Sequence, residues 1–312
     1  MKWFLDEKYP KATQDISHGE GIVFIGSCFS ENIFNRGKQL GFDFRSTNYG
    51  TIFHPLPIAR IIQDAIHLNP DFRIDSNEGR YFSWDTSSKM VAESKNELEK
   101  RLSEEQSKLH KNLKSAKYLF LTFGTAKEYV MSDGLVVANC HKVPSSEFNS
   151  QLSEVQELVK TYENLLSDLS NFNPELKIVV TVSPVRHSKD GLVENNRSKA
   201  RLIQLCELLE KKVSVNYFPA YELVIDQLRD YRFYSKDLVH PSDEAIEFVW
   251  EKFQETYFSE ETARICNQIG KFKSYFGHRP LRKENERELE IRQSKQSELK
   301  AFLAKNPQVI WQ

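Results

Sequence analysis

The sequence lacks the features that mark several large classes of protein. No apolar run reaches the ~20 residues that a membrane-spanning helix needs, and residues 1–14 carry charges throughout instead of the apolar stretch of a secretory signal. The net charge is -1, from 43 basic and 44 acidic residues, so we expect neither nucleic acid nor a membrane as a partner. Hydrophobic residues make up 39% of the 312 positions, which indicates a water-soluble globular protein of one large or two small domains.

Several metal and cofactor motifs are also missing. The four cysteines never form a C-x-x-C pair, which excludes a zinc ribbon and a thioredoxin motif. Since no export signal is visible, we expect reduced thiols in the cytoplasm. No G-x-x-x-x-G-K occurs, and Gly19-Glu20-Gly21 precedes a predicted strand where a dinucleotide-binding loop would follow one. Without H-x-x-x-H or another tight ligand spacing, we predict neither a metal site nor a cofactor.

Short apolar runs alternate with amphipathic helix patterns along the chain. Four runs predict buried strands: 21–25, 118–123, 177–182 and 213–218. Helices are predicted between them, notably at 153–169 and at 198–211, with Asn195-Asn196 as the cap of the second. This alternation indicates an α/β fold with a central parallel sheet and helices on both faces.

We predict one main domain, residues 1–275, followed by a charged helical extension, residues 276–312. Within the main domain, residues 55–115 are predicted to form an insertion or cover: a helix after Pro57, a hairpin at 72–84 turning at 76–79, and a charged helix at 96–113. A second hairpin is predicted at 128–140, turning at 132–134. The extension is expected to be a surface helix, with an arm against a partner as the alternative.

The first predicted strand ends in a turn that can carry chemistry, Gly26-Ser27-Cys28. Ligands of open parallel sheets bind outside the carboxyl ends of the strands. A helix pattern begins near Ser30, so a thiol here would lie at a helix N-terminus, which lowers a thiol pKa and whose N–H groups can hold an oxyanion. The alternative is that Cys28 is a small, packed and unreactive side chain.

A second candidate segment, Asp237-Leu238-Val239-His240, lies in a loop ahead of a predicted helix. A histidine that acts as a general base needs a carboxylate to fix its tautomer and to stabilise the imidazolium. Asp237 can supply that carboxylate within one short loop. Because D-x-x-H occurs often by chance, the segment gains weight only in combination with the turn after the first strand.

Taken together, these segments and their neighbours resemble the SGNH (GDSL-like) hydrolase superfamily and, within it, most closely the GSCFA family. The resemblance spans roughly residues 22–250. The matching segments are Phe24 to Asn32, Asn48-Tyr49-Gly50, Thr122 to Ala126, Asn139 to Lys142, Ser183 to His187 with Asp190-Gly191, and Asp237 to Pro241.

The resemblance implies a three-layer αβα sandwich and assigns roles to individual residues. Cys28 matches the nucleophilic serine of the superfamily, with Ser27 as the alternative nucleophile. Asp237 and His240 match its aspartate and histidine. Gly50 matches the glycine of the second block, whose N–H would hold the oxyanion.

Two features depart from the superfamily pattern. The nucleophile is a cysteine, and the third block reads Gly124-Thr125-Ala126 where Gly-x-Asn is usual, so the asparagine amide that would hold the oxyanion is absent. Substitutes for it are sought among the nearby polar residues Thr125, Asn48, Asn139 and His141.

Arg186 and His187 follow the fourth predicted strand, so they are expected to face the same cleft. Arg186 could bind a carboxylate or phosphate of the substrate, or else pair with Asp190. His54, which precedes a proline, is expected to be a residue of a capped turn and not a ligand.

The sequence thus predicts a hydrolase that acts on an ester-type acyl substrate through a nucleophile–His–Asp site. In the expected mechanism, His240, oriented by Asp237, takes the proton of Cys28, and an acyl-enzyme forms. An acyltransferase and a binding module that has lost its catalysis are alternatives, the latter favoured by Ala126. The expected partner is a small-molecule or acylated substrate. Whether the chain forms a homo-oligomer, or serves as a scaffold through its charged C-terminal helix, is left open.

Overall fold

A computed structural model describes Leu5 and residues 8–212, 214–277 and 285–311. The strands are β1 Gly21–Gly26, β2 Phe44–Ser46, β3 Ile74–Asn77, β4 Arg80–Ser83, β5 Val91–Ala92, β6 Ala116–Phe123, β7 Lys127–Val130, β8 Asn149–Leu152, β9 Lys177–Val182 and β10 Val215–Tyr217. The helices are α1 Cys28–Gln39, α2 Pro55–His67, α3 Lys95–Ser115, α4 Val155–Phe172, α5 Leu192–Glu210, α6 Ala220–Glu222, which continues as a π-helical turn over Leu223–Leu228, α7 Asp243–Tyr257, α8 Glu260–Gly277 and α9 Glu286–Lys305.

Five strands form a parallel central sheet in the order β10-β9-β6-β1-β2. Counted along the chain, these five strands follow the flavodoxin-like order 2-1-3-4-5, which reverses between β1 and β6. A crevice opens at the carboxyl ends of the strands where such an order reverses. The predicted turn after β1 lies at this point of the sheet. The predicted α/β fold with a central parallel sheet is confirmed.

The two faces of the sheet are covered by separate apolar cores, as the alternation of side chains along β1 shows. Val23 and Ile25 pack with α2, α3, α4 and α5, whereas Ile22 and Phe24 pack with α1 and α7. Since successive side chains of a strand point to opposite faces, a fully buried strand needs a helix layer on each side. The result is the three-layer αβα sandwich that the resemblance implies.

The predicted insertion, residues 55–115, supplies part of one helix layer. Helices α2 and α3 bury apolar side chains in the same core as β1 and β6. The predicted hairpin is present as β3 and β4, and Glu78 and Gly79 at its turn both have positive φ, as a two-residue type I′ turn requires. Strand β5 completes this small sheet. The proposed domain limits stay a prediction.

One sequence-based assignment of local structure is wrong and another holds in part. The cap of α5 is not Asn195-Asn196, because the helix already begins at Leu192 after Gly191; the Asn195 side chain instead accepts a hydrogen bond from the His187 N–H at 2.9 Å. The second hairpin is shorter than predicted: it turns around Gly134, pairs Val130 with Val136, and ends with a bond from the Val137 N–H to the Tyr129 carbonyl. Strand β7 pairs along its whole length with β8, nineteen to twenty-five residues further along the chain.

The C-terminal extension is helical and exposed along α9, but its end packs against the body. Val309 is buried with Ile265 and Ile269 of α8, and the Ile310 N–H donates to the carbonyl of Gly41 at 2.9 Å. Residues 281–284 of the predicted surface helix lie outside the described residues. None of the helices in the described part of the chain combines the length and apolarity needed to cross a bilayer.

Candidate active site

The turn after β1 is wedged against the end of β6. Gly26 has a φ of +140°, and a Cβ at this position would lie 2.2 Å from the Thr122 carbonyl oxygen, so only glycine fits. The Ser27 N–H donates to the same carbonyl at 3.0 Å. These contacts place the start of α1, at Cys28, above the carboxyl ends of two adjacent strands.

Ser27 and Cys28, the two candidate nucleophiles, have different surroundings. Ser27 is 2% exposed, and its hydroxyl caps α1 by accepting a hydrogen bond from the Phe29 N–H at 3.3 Å. Cys28 is partly exposed and is the first residue of the helix. Because the hydroxyl of Ser27 is engaged in capping, the geometry favours Cys28, in agreement with the register that the resemblance implies.

The electrostatic environment of Cys28 differs from the sequence-based expectation. Burial raises the pKa of the Cys28 thiol, and the charge of Glu31 acts in the same direction. The backbone N–H groups of Cys28 and Phe29 and the charge of Lys199 lower it, but they do not outweigh burial. The expectation that the helix N-terminus would lower the pKa of the Cys28 thiol is therefore wrong, and a reaction through this thiol would require a base.

Asp237 and His240 form the predicted carboxylate–imidazole pair. Asp237 Oδ2 lies 2.7 Å from His240 Nδ1, and Asp237 Oδ1 accepts from the N–H groups of Val239 and His240 at 2.9 and 3.0 Å. These bonds lower the pKa of Asp237 to about 2. With Nδ1 directed at a carboxylate, the proton of a neutral imidazole sits on Nδ1, and Nε2 is the basic nitrogen.

The loop after β9 lies against the loop that carries His240. The Arg186 N–H donates to the Val239 carbonyl at 3.2 Å. Burial, together with the charges of Lys199 and His240, lowers the pKa of His187 to about 4, so its ring is neutral at pH 7. His187 Nε2 is buried without a hydrogen-bond partner in the described part of the chain. It is therefore a group of this site that a ligand can satisfy.

Lys199 is a site residue that the sequence analysis missed. It is 2% exposed, and its ammonium donates to the carbonyls of Gly124 and Ser183 at 2.6 and 2.7 Å, which ties together the ends of β6 and β9. Burial lowers the pKa of Lys199 to about 7, and the nearby Cys28 acts in the opposite direction. Its position on the apolar stripe of α5, three residues before Leu202, could have singled it out, because a lysine on such a stripe needs a buried partner.

Gly50 and Asn48 lie on the loop between β2 and α2. Gly50 has a φ of +81°, and a Cβ there would lie 1.9 Å from Ser87 Oγ. No hydrogen bond within residues 8–212, 214–277 and 285–311 uses its N–H, so this group remains available as a donor. Asn48 is held in place, since its backbone N–H and its side-chain amide both donate to Glu105 at 2.8 Å.

The third-block residues Gly124 and Thr125 have their donors engaged. Both backbone N–H groups donate to the Phe53 carbonyl, at 2.8 and 3.2 Å, and the Thr125 hydroxyl lies 3.0 Å from Ser198 Oγ. The neighbouring Ala126 N–H also donates to Ser198 Oγ. This block therefore shapes the site but presents no free donor that could replace the missing asparagine.

Asn139 and His141 belong to a separate cluster beside the small sheet. His141 is buried, stacks on Phe82 with ring centroids 4.1 Å apart, and its Nε2 lies 3.0 Å from the Ser83 carbonyl. Asn139 accepts a hydrogen bond from the His141 N–H. Both side chains are occupied with packing there, and none of their hydrogen bonds or ring contacts reaches the turn at Cys28.

A cleft of about 640 Å³ opens beside the turn, next to Ser27 and Gly50. Its wall is about half polar, with carboxylates from Glu31 and Glu104 and cations from Lys89 and Lys108. The cleft borders the candidate nucleophile turn on the β2 side, where Ser27 lines it. Cys28, Asp237 and His240 are not part of its wall.

The structure does not join every predicted catalytic residue by direct contact. Within the described residues, no hydrogen bond links Cys28 to His240, and the His240 side chain is 50% exposed. Both lie at the same end of the parallel sheet, because Cys28 follows β1 and the His240 loop is bonded to Arg186, which follows β9.

One other serine–histidine–carboxylate group resembles a catalytic triad but is arranged differently. His54 Nδ1 accepts from the Leu56 N–H, so Nε2 carries the proton and donates to Ser153 Oγ at 2.9 Å. Ser153 in turn donates to Glu128 at 2.5 Å. The serine donates its proton to the carboxylate and not to the histidine, and all three side chains are buried. The His54 side chain caps α2.

The described residues also contain no group of three or more His, Cys, Asp or Glu side chains placed to hold a metal ion.

The fold and this arrangement define an α/β protein of the doubly wound type with a candidate site at the point where the strand order reverses. The model of the GSCFA family matches residues 21–253, and the chain belongs to the GSCFA family. This confirms the family inferred from the motifs. Among curated proteins, none matches the sequence.

Solved structures of similar shape share little sequence with this chain. A provisionally assigned platelet activating factor from Streptococcus pneumonia is 11% identical, with 77% of this chain and 84% of that chain covered and a TM-score of 0.40. A family two carbohydrate esterase from Clostridium thermocellum is 13% identical, with 83% and 67% covered and a TM-score of 0.36. A family 3 carbohydrate esterase from Talaromyces cellulolyticus is 9% identical, with 80% and 98% covered and a TM-score of 0.34. Likeness at this level carries no argument about the activity of this chain.

Proposed function

We propose that the protein hydrolyses an acyl ester through Cys28, His240 and Asp237. The observation that carries the proposal is the Asp237–His240 pair, which is bound at 2.7 Å and held by two backbone N–H groups at the same end of the sheet as Cys28. An imidazole oriented in this way is a general base, and the partly exposed thiol at the start of α1 is the nucleophile for it.

In the proposed reaction, His240 Nε2 takes the proton of Cys28 as Sγ forms a bond to the acyl carbonyl carbon. The carbonyl becomes an oxyanion, held by the N–H groups of Cys28 and Gly50. Collapse of this intermediate breaks the C–O bond, and the imidazolium protonates the departing alkoxide. Water, deprotonated by His240, then releases the acid from the thioester.

The raised pKa of Cys28 fits a thiol that is deprotonated only during attack. Apo structures often hold catalytic hydrogen bonds too long or poorly aligned, and these tighten in the substrate complex. His240 lies on an exposed loop, so closure of this loop over the substrate would bring Nε2 to Sγ. Lys199, behind the turn, supplies a positive charge that stabilises the thiolate once it forms.

A binding module without catalysis is the second candidate. It is favoured by the raised pKa of Cys28 and by the engaged donors of Gly124 and Thr125. Acyl transfer to an acceptor other than water is a variant of the first candidate, since the thioester is the same and only the attacking group differs.

Hydrolysis of 4-nitrophenyl acetate by purified variants tests the proposal. We expect Cys28→Ala and His240→Ala to lose on the order of a thousandfold in kcat/KM, as removal of a triad member does. Ser27→Ala should retain most of the activity, because its hydroxyl only caps the helix. Cys140→Ala, which removes the other partly exposed thiol, is the matched control and should behave as the unaltered protein.

Two outcomes would contradict the proposal. If Ser27→Ala is inactive and Cys28→Ala is active, the nucleophile is Ser27. If the unaltered protein turns over no more ester than Cys28→Ala does, across acetyl, butyryl and longer acyl groups, the binding module is the better account.

A further inference from the structure

The guanidinium of Arg186 lies against two aromatic rings near the His240 loop. Its central carbon lies 4.2 Å from the ring centroid of Tyr234 and 5.0 Å from that of Tyr231. The Arg186 side chain also interacts with the Tyr234 hydroxyl: burial raises the pKa of Tyr234, and Arg186 acts in the opposite direction. A guanidinium has five N–H donors, so these contacts restrict its position and still leave donors for a ligand.

Three acidic side chains in or beside the segments that contact Arg186 are paired with other groups. Asp190, the partner that the sequence offers, bonds to Lys127 at 2.6 Å. Asp230 pairs with Arg232 at 3.0 Å, and Asp237 with His240 at 2.7 Å. No carboxylate among the described residues lies within 4.0 Å of a nitrogen of the Arg186 guanidinium, which leaves an oriented cation without an anion. Asp190, Asp230 and Asp237 thus bind other groups, and Arg186 is left to bind an anion that a ligand brings.

Arg186 and His240 are positioned by the same short segment. The Arg186 backbone N–H donates to the Val239 carbonyl. Tyr234, whose ring the Arg186 guanidinium contacts, forms an antiparallel β-bridge with Pro241. The Ser235 N–H donates to the His240 carbonyl at 2.7 Å. The segment Tyr234–Pro241 thus both positions Arg186 and contains His240. A substrate bound at His240 therefore lies within reach of Arg186.

We infer that Arg186 binds an anionic oxygen group, a carboxylate or a phosphate, on the substrate of this site. The inference rests on the proposed function and names a class of substrate for it: an acyl ester that carries a negative charge at a fixed distance from the ester carbonyl. A guanidinium offers two parallel N–H groups to such an anion, which gives orientation as well as affinity. Arg186 determines specificity and takes no part in bond breaking.

Paired esters test the inference through kinetics. For a carboxylate, 4-nitrophenyl hemisuccinate is compared with 4-nitrophenyl butyrate; for a phosphate, 1-acetylglycerol 3-phosphate is compared with 1-acetylglycerol. We expect the preference for one anionic ester over its neutral partner to fall about tenfold or more in Arg186→Gln, mainly through KM. Lys189→Gln removes an exposed cation from the same loop and should change the preference less than twofold. If the preference for both anionic esters is unchanged in Arg186→Gln, the inference is overturned.

Calorimetric binding of succinate and of inorganic phosphate separates this inference from the proposed function, because it needs no turnover. We expect one of these anions to bind the unaltered protein at least tenfold more tightly than Arg186→Gln, and the anion that does so identifies the charged group. Such binding in a protein that hydrolyses no ester would sustain the anion site and contradict the proposed reaction. Equal binding to both proteins would overturn the anion site, whatever the ester kinetics show.

Discussion

Cys28 shows that burial can outweigh a helix N-terminus. Its N–H surroundings and Lys199 favour the thiolate, yet the loss of hydration on burial raises the pKa of the thiol. A reactive thiolate at rest would be open to oxidation and to metals. In the proposed reaction, a protonated thiol that is activated only beside His240 would avoid both, and the approach of His240 to Cys28 would be the decisive step.

The pH dependence of alkylation tests this description of Cys28. Because its pKa is raised above the ordinary value of 9.0, we expect the rate of iodoacetamide labelling at Cys28 to climb through pH 9, about tenfold per pH unit below the pKa. Glu31→Gln removes a negative charge that raises the pKa of Cys28, so its profile should move to lower pH. Peptide mapping separates Cys28 from Cys140. A labelling rate that levels off below pH 8 would contradict the account.

At the scale of single residues, the sequence was informative where a role needs a short local pattern. Asp237 and His240 are three residues apart, and the pair forms as predicted. Lys199 was missed because its partners, the carbonyls of Gly124 and Ser183, are backbone groups far away in the chain. His141 was placed among the oxyanion candidates by resemblance alone, and only its stacking on Phe82 shows that it belongs to a different cluster.

At the scale of elements, a buried series of hydrogen-bonded side chains joins the N-terminus of α2 to the two-stranded β7–β8 sheet. His54 caps the helix, and its other ring nitrogen donates to Ser153, which donates to Glu128. Burial lowers the pKa of His54 to about 3. These hydrogen bonds can all form only while His54 is neutral, because a protonated ring has no nitrogen left to accept from the Leu56 N–H.

Because of His54, the protein should lose stability in acid. The folded-state pKa of His54 lies below the unfolded value of 6.5, so the unfolded chain binds the extra proton first and stability falls as the pH drops from 6.5 towards 3. We expect His54→Asn, which can still cap the helix, to abolish a slope of up to about 1.4 kcal/mol per pH unit in the free energy of unfolding. Urea titrations between pH 7 and pH 4 measure it, with the exposed His67→Asn as control. Parallel slopes for His54→Asn and the unaltered protein would refute the assignment.

The elements themselves were predicted best where apolar periodicity is long. The strand at 177–182 has the predicted bounds, and β6 and α4 differ only at their ends. The second hairpin is shorter than predicted, because a turn signal at Gly134 specifies a local reversal but not how far the pairing beyond it extends. Strand β7 obtains its ladder from residues 149–152, and no local pattern identifies that partner.

At the scale of the whole molecule, the strand order decides where chemistry can occur. Because the order reverses between β1 and β6, the turn at Cys28 borders the crevice of the sheet. The central α/β arrangement followed from alternating strands and helices. The placement of α2 and α3 in one helix layer could not be predicted. An amphipathic pattern shows that one face of a helix is buried, but not which element it packs against.

We expect the residues after α9 to stabilise the fold by packing against α8 and Gly41, and not to bind a partner. A chain that stops after Lys305 loses Val309 and Ile310, which contact α8 and Gly41. We expect it to lose about 2 kcal/mol of stability to urea, from the apolar area exposed, with unchanged ester turnover. Gel filtration at several concentrations provides the control. A change in oligomeric state, with stability intact, would instead support the scaffold alternative.

The central claim is that Cys28 is acylated during turnover. The most direct measurement is to mix the protein with 4-nitrophenyl acetate, quench in acid, which preserves thioesters, and map the peptides by mass spectrometry. The account predicts one added acetyl group on Cys28, formed far more slowly in His240→Ala and absent in Cys28→Ala. An acetyl group on Ser27, or steady turnover without any acylated peptide, would contradict it.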